Sequence, residues 1–206
     1  MPKEPREHLV HICRLLFARR LNDATGGNIS LRQDDRIFMS PAHAGSRQQW
    51  QIEPPDVVVL DLQGNVLEGP SRRSREAQVH LALYNSFVRQ GAVIHAHPEY
   101  IMVFVAAGQA IPPVLEHTQK FGTIRLARPA KAHSSELARS VVEALQPQEQ
   151  AFEKHGIATL MPQHGIVVVG RDLDDAFDTL ERIEANARTL LLSVLLRHLP
   201  EGIKGG

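Results

Sequence analysis

The dipeptide pattern His95-Ala96-His97 stands at the end of the apolar run Ala92-Val93-Ile94. Side chains two apart on a strand point to the same face, so both imidazoles can converge on one ion. Imidazole is a borderline ligand suited to zinc and similar transition metals. The competing reading is a pair of solvated histidines at a strand end, although the apolar residues before them put that end at the rim of an interior strand. A catalytic metal commonly takes three protein ligands and leaves a position open for substrate or water. The chain has 11 His, and several compete for the third place. His164-Gly165 lies between two apolar runs, where a turn brings it to the same rim. His155-Gly156 is a similar dipeptide beside a charged loop and reads as surface. His8 and His11 belong to the first helix, and His198 to the far end of the last.

Glu76 lies four residues before His80, so the two share a face if the segment is helical. A carboxylate there could accept a hydrogen bond, complete a metal site or act as a general base. As an isolated residue it reads equally as a solvated first-turn glutamate favoured by the helix dipole. The turn Thr25-Gly26-Gly27-Asn28 could present backbone N–H groups to an anion, or serve only chain reversal. Ser71-Arg72-Arg73-Ser74-Arg75 combines hydroxyls, guanidinium groups and free N–H groups at a helix start. That suits a phosphate or carboxylate, with a solvated basic patch as the alternative.

The elements that must position these groups can be read from periodicity. Leu9, Ile12, Cys13, Leu16 and Phe17 form one apolar stripe, predicting a first helix that ends near Asn22. Strands are expected at 29–32 and 36–39, at 57–60, and at 66–67 after the hairpin signal Gly64-Asn65. A helix is expected over 74–87, a strand over 92–97 and a helix over 99–107. Ser134 or Ser135 can cap a helix that runs to Leu145. Residues 146–154, with Pro147, read as a surface loop. Apolar strands at 157–161 and 166–169 flank His164-Gly165. A long last helix carries Leu173, Ala176, Phe177, Leu180 and Ile183, then Leu190, Leu191, Val194 and Leu195. The class is α/β, one domain over 1–200 with a flexible 201–206 tail. Its central sheet is covered by helices and is mixed or antiparallel rather than doubly wound.

Composition excludes several classes. Lys+Arg and Asp+Glu are both 23, so the chain lacks the positive excess that duplex binding needs. The single cysteine, Cys13, sits in the apolar stripe, reads as core and cannot form an intrachain disulfide. No run approaches the roughly 18–20 apolar residues of a membrane span, and the charged N-terminus lacks a signal-peptide stretch. A cytoplasmic location is the expectation, with no nucleic-acid or membrane partner.

In order, the chain reads Gly27-Asn28-Ile29-Ser30-x-Arg32, Ser40-Pro41, Ser74-x-Glu76-x-x-x-His80-x-x-x-Tyr84, His95-x-His97 and Gln163-His164-Gly165. This succession, from the first helix to the last, resembles the class II aldolase/adducin family. The resemblance implies a three-layer α/β/α fold. It also implies one divalent ion per subunit held by His95, His97 and His164, zinc first with manganese or cobalt as alternatives. It assigns Glu76 as the acid/base, able also to ligate the ion when substrate is absent. It places Thr25, Gly27, Asn28 and Ser74 around the acidic end of a sugar phosphate or sugar acid, and implies a homotetramer with sites near subunit interfaces. The implied activity is carbon–carbon lyase chemistry on a ketose. Epimerase, dehydratase and decarboxylase chemistry on the same scaffold is the alternative, and a metal-free, adducin-like interaction module is the reading from another class. This chain departs from the aldolase pattern where Arg75 replaces a second serine and where Ala42-His43-Ala44-Gly45 follows Ser-Pro. Glu116, followed by His117, stands nearest the place of the second, tyrosine acid.

Overall fold

The structure is a computed structural model that describes residues 4–71, 73–87 and 91–197. Arg72 of the basic run, His198 and the 201–206 tail lie outside the described residues. The strands are β1 (Asn28–Gln33), β2 (Arg36–Met39), β3 (Val58–Leu60), β4 (Val66–Glu68), β5 (Ala92–Ala96), β6 (Ile157–Met161) and β7 (Gly165–Gly170). The helices are α1 (Pro5–Ala18), α2 (Ala44–Gln48), α3 (Ala77–Ser86), α4 (Glu99–Ala107), α5 (Ser135–Leu145), α6 (Glu149–Phe152) and α7 (Leu173–Arg197).

The strands form one sheet in the order β4-β3-β2-β1-β5-β7-β6. All six strand pairings are antiparallel, as the early hairpin signals suggested. β5 is an interior strand, flanked by β1 and β7, which explains why its side chains are apolar until its last residues.

Alternate strand residues serve opposite faces, as the pleat requires. Ile29, Leu31, Ala92, Ile94, Ala96, Ile166 and Val168 join the core beneath α1, α4 and α7. Ile37, Met39, Val93, Val167 and Val169 join a second core beneath α3 and α5. The result is the expected α/β/α sandwich. This alternation puts His95, two residues from Val93, on the α3 face.

Three boundaries differ from the sequence reading. α1 stops at Ala18, because Arg20 turns into the left-handed region at φ 57°. The helix expected from Ser74 starts only at Ala77, so Ser74 and Glu76 precede it. Residues 146–154 are not a surface loop: Gln146–Gln148 form a 3-10 turn that leads into α6, and Phe152 is buried. Pro147 is compatible because its missing N–H falls where a helix start has no partner to offer.

Cys13 is fully buried, as its place on the stripe implied. No helix among the described residues is long and apolar enough to cross a membrane. The far part of α7 is different in kind. Leu192, Val194, Leu195 and Leu196 are all exposed, the last two by 62% and 63%.

Candidate active site

The first determinant of the site is register. Asn28 of β1 lies opposite His95 of β5, and Ser30 opposite Val93. Asn28, Ser30 and His95 therefore share the face covered by α3. His80 and Tyr84, four residues apart in α3, line the side of the helix that looks at this face, and Glu76 stands at the residue just before the helix. Five polar side chains meet there in a buried layer: Asn28, Ser30, Glu76, His80 and His95 are each at most 5% exposed.

The second determinant is the β6–β7 turn. His164 sits in it, and Gly165 carries the chain back over the two strand histidines. A Cβ on Gly165 would lie 2.6 Å from the Ala96 carbonyl oxygen, 2.7 Å from His97 Cδ2 and 2.8 Å from His95 Cε1. Only glycine allows the turn this close. On the other side Gly27, at φ +91°, folds the loop after α1 against Asn22 in a conformation that disfavours side chains.

The three imidazoles converge. Their ligating nitrogens lie within 4.8 Å of one another, and Nε2 of His97 is 3.2 Å from Nε2 of His95. Glu76 joins them, with Oε2 3.1 Å from His95 Nε2 and Oε1 2.9 Å from His164 Nε2. Neighbours fix how two of the rings present themselves. The Ile166 carbonyl lies 3.0 Å from His95 Nδ1 and can only accept, so Nδ1–H donates and Nε2 is left bare. Asp23 Oδ1 lies 3.5 Å from His97 Nδ1 and favours the same tautomer.

Bare nitrogen lone pairs and a carboxylate thus face one another across about 3 Å. That arrangement is repulsive unless a proton or cation lies among them. Glu76 Oε1 is fully buried and has no well-aligned hydrogen-bond donor, which leaves it free for such a cation. Nitrogen donors with one carboxylate suit zinc and its neighbours. The donor set fits the ion that the sequence pattern implied.

Burial also keeps the rings in the neutral, ligating form. It pushes the His95 pKa down from 6.5 to about 4, against the opposing pull of Glu76. His97 is lowered too, first by burial, with Asp23 acting in the other direction. For Glu76 burial pushes upward, but the imidazoles of His95 and His164 and the Asn28 amide more than offset it and hold the carboxyl below the usual range. His80, fully buried, is pushed down to about 3.

The cavity over this cluster has a volume of about 280 Å³. Its other wall is made of Thr25, Gly26, Gly27, Ala42 to Ser46, Ser74 and Arg75. Thr25 is held by Asp23, whose Oδ1 accepts from the Thr25 N–H and hydroxyl and from the Gly26 N–H. Arg75 is exposed and has no ion-pair partner among the described residues. The cavity therefore joins the histidine–carboxylate cluster to an end lined by Gly27, Ser46, Ser74 and the Arg75 guanidinium, while the Thr25 and Gly26 donors are taken by Asp23.

The match to known proteins agrees with this geometry. The model of the class II aldolase and adducin N-terminal domain family matches residues 7–191. The chain belongs to that family. It is 28% identical over 192 residues, 93% of its length and 98% of the relative's, to the L-fuculose phosphate aldolase of Methanocaldococcus jannaschii. It is 29% identical over 190 residues, 89% and 85% of the two chains, to the 3-oxo-tetronate 4-phosphate decarboxylase of Haemophilus influenzae. A solved L-fuculose 1-phosphate aldolase superposes with a TM-score of 0.82 at 25% identity, covering 98% of this chain and 93% of that one.

The candidate metal, acid/base and anion-binding residues border this one cavity: Thr25, Gly27, Asn28, Ser74, Arg75, Glu76, His95, His97 and His164. Asn28 differs from the expectation in emphasis, because its amide is engaged by Glu76 at 2.9 Å and by His80 at 2.5 Å. Glu116 and His117 do not border the cavity; they are exposed on a 3-10 turn, Glu116–Phe121. His155 is not a surface residue. It is buried, edge-on to Phe121 with ring centroids 5.1 Å apart, and lies apart from the cluster. Sequence reasoning missed His133, which borders the cavity with Nδ1 3.5 Å from Glu76 Oε1. Its one local mark is that it precedes the α5 cap Ser134, and that says nothing about Glu76.

The buried histidines make stability depend on pH. Their folded pKa values lie below the ordinary 6.5, so their contribution is complete above pH 6.5. It is lost as pH falls toward about 4, because the unfolded chain takes up protons the folded chain refuses. Each such group costs about 1.4 kcal/mol per pH unit in that window. Metal-free protein should lose stability at roughly twice that rate between pH 6 and 5, measured by urea midpoints. A flat profile there would contradict the burial of His80 and His95 as neutral rings.

Proposed function

We propose that this chain is a class II aldolase-type lyase that acts on a phosphorylated ketose or sugar acid with one divalent ion, zinc, per subunit. The observation that carries the reading is the convergence of three imidazole nitrogens and the Glu76 carboxylate at one end of a cavity whose other end is lined by Ser74 and the Arg75 guanidinium. The relatives' names, a fuculose phosphate aldolase and an oxo-tetronate phosphate decarboxylase, support a sugar phosphate as the substrate class. Manganese or cobalt would satisfy the same donors.

His95, His97 and His164 would hold the ion. When bound it supplies positive charge beside a ketose carbonyl, favouring electron density that develops on the carbonyl oxygen. Thr25, Gly27, Ser74 and Arg75 would bind the phosphate or carboxylate end, with Arg75 adding the bidentate donor that a serine there would lack. In the cleavage direction, the hydroxyl beyond the scissile bond would give its proton to a second acid/base group, and the carbon that bears it becomes an aldehyde. The C–C bond breaks, its electron pair stays with the carbon next to the ketose carbonyl, and that carbon takes a proton from Glu76 after the carboxylate has taken one up from solvent. In the addition direction Glu76 removes that proton again. Glu116 and His117 border no part of this cavity. If either serves as the second acid, a neighbouring subunit must bring it. The exposed leucines of α7 support assembly, for which a homotetramer in the cytoplasm is our reading.

Epimerisation, dehydration or decarboxylation would develop the same negative charge on the carbon next to the carbonyl, and Arg75 is compatible with a carboxylate-bearing substrate. A screen of phosphorylated ketoses and sugar acids with product identification separates these outcomes. A metal-free adducin-like role is disfavoured by the three convergent imidazoles.

Elemental analysis should find that His95→Ala, His97→Ala and His164→Ala each lose most of the bound metal while His155→Ala keeps it. Equal metal in all four would remove the ligand assignment. With a substrate in hand, metal-loaded Glu76→Gln should turn over about 10²–10⁴-fold more slowly, the usual worth of a general base. Full activity in that variant would take Glu76 out of the mechanism. Light scattering at micromolar concentration should give four times the chain mass, and a monomer would contradict composite sites.

A further inference from the structure

The motif residues Ser30, His80 and Tyr84 have no part in the chemistry described so far, yet all three are buried and linked to it through Asn28. His80 Nε2 lies 2.5 Å from Asn28 Oδ1, and His80 Nδ1 lies 2.6 Å from Ser30 Oγ. Ser30 Oγ lies 2.9 Å from the Tyr84 hydroxyl. Asn28 Nδ2 in turn donates to Glu76 Oε2 at 2.9 Å.

We propose that Tyr84, Ser30, His80 and Asn28 form one hydrogen-bond chain of fixed polarity, with every proton directed toward Glu76. In it His80, held as the Nε2–H tautomer, is a positioning residue for the base. The proposal rests on the reading of Glu76 as the proton-transfer group.

The polarity follows from what each atom can do. An ionised carboxylate only accepts, so the NH₂ of Asn28 must face Glu76 and its carbonyl must face His80. A carbonyl only accepts, so His80 Nε2 must carry a hydrogen. A neutral ring then has a bare Nδ1, which accepts from the Ser30 hydroxyl. Ser30 has spent its only proton, so the Tyr84 hydroxyl donates to Ser30. The Tyr84 oxygen can accept in turn from the Val93 backbone N–H. Reversing any one member would set two acceptors or two donors against each other inside a dry layer, where an unmade hydrogen bond is costly.

The consequence is an asymmetric carboxylate. Oε2 is tied to Asn28, while Oε1 has no aligned donor and lies 2.9 Å from His164 and 3.5 Å from His133. Oε1 is therefore the oxygen that carries the proton in the reaction. Aligned donors along the chain also strengthen one another, so the hold on Oε2 depends on residues that never touch substrate.

The direct test is ¹⁵N NMR of histidine-labelled, zinc-loaded protein at neutral pH, with His80 identified by comparison with His80→Gln. The expected pattern is a protonated Nε2 and an unprotonated Nδ1. An Nδ1–H tautomer, or a doubly protonated ring, overturns the chain whatever the activity. In turnover, Ser30→Ala and Tyr84→Phe should lower kcat by about 3- to 10-fold, the worth of roughly one neutral hydrogen bond. KM and metal content should stay unchanged, and Ser30→Thr should recover the loss. An unaltered kcat in folded Ser30→Ala protein overturns the positioning role. Full activity of Glu76→Gln would fault the reading of the base instead, and the tautomer measurement separates the two failures.

Discussion

The pairing of β1 with β5 in the register Asn28↔His95 is the constraint on which the site depends. It places an amide beside the buried His95 ring in the interior of the sheet and orders which side chains face α3. A slip of β5 by one residue would turn His95 onto the opposite face, among Ile29 and Ile94 and away from Asn28 and Ser30. That slip is opposed by the cost of burying a polar ring without partners in the apolar core formed by Ile29, Ile94 and Ala96. The hydrophobic pattern that stabilises the sheet therefore also aims the polar groups.

A cluster this polar is expensive to bury, and the structure meets the cost locally. Glu76 accepts from Asn28, His95 donates to the Ile166 carbonyl, and Asp23 stands behind His97. What these contacts leave unsatisfied is confined to the inward-facing nitrogens and Glu76 Oε1. The same burial that disfavours protonated imidazole prepares the rings as ligands, so folding stability and cation affinity draw on one arrangement. Metal-free protein holds facing lone pairs at about 3 Å, and a bound cation would relieve them.

The two ends of the cavity come from different kinds of chain. The ligand end is built on strand ends and a two-strand turn, held by the sheet. The anion end is built from the loop after α1, the segment containing α2, and the turn before α3. Rigid elements hold reacting groups more accurately than loops do, while loops tolerate change. The departures at Arg75 and at Ala42-His43-Ala44-Gly45 fall in the loop-built end, so family membership says more about the chemistry than about the ligand.

The fold class and the seven strands were legible from period and motif order, and the His95-x-His97 pair was legible as a candidate ligand pair, because strand alternation and residue type are local properties. His155 was misread as surface, since its burial comes from Phe121, distant in sequence. The polar 146–154 segment was misread as a loop because a helical turn can be held by one buried side chain, Phe152. Nothing in the sequence pointed to His133, whose relation to Glu76 exists only across the cavity. By itself the sequence determined which residues could bind a cation and which face of each element was apolar. The tertiary structure alone decided that His164 reaches the strand pair, that Asn28 serves Glu76 and that Glu76 keeps one oxygen free. Those facts depend on strand register and on how closely Gly165 lets two chain segments approach, distances that no local spacing encodes.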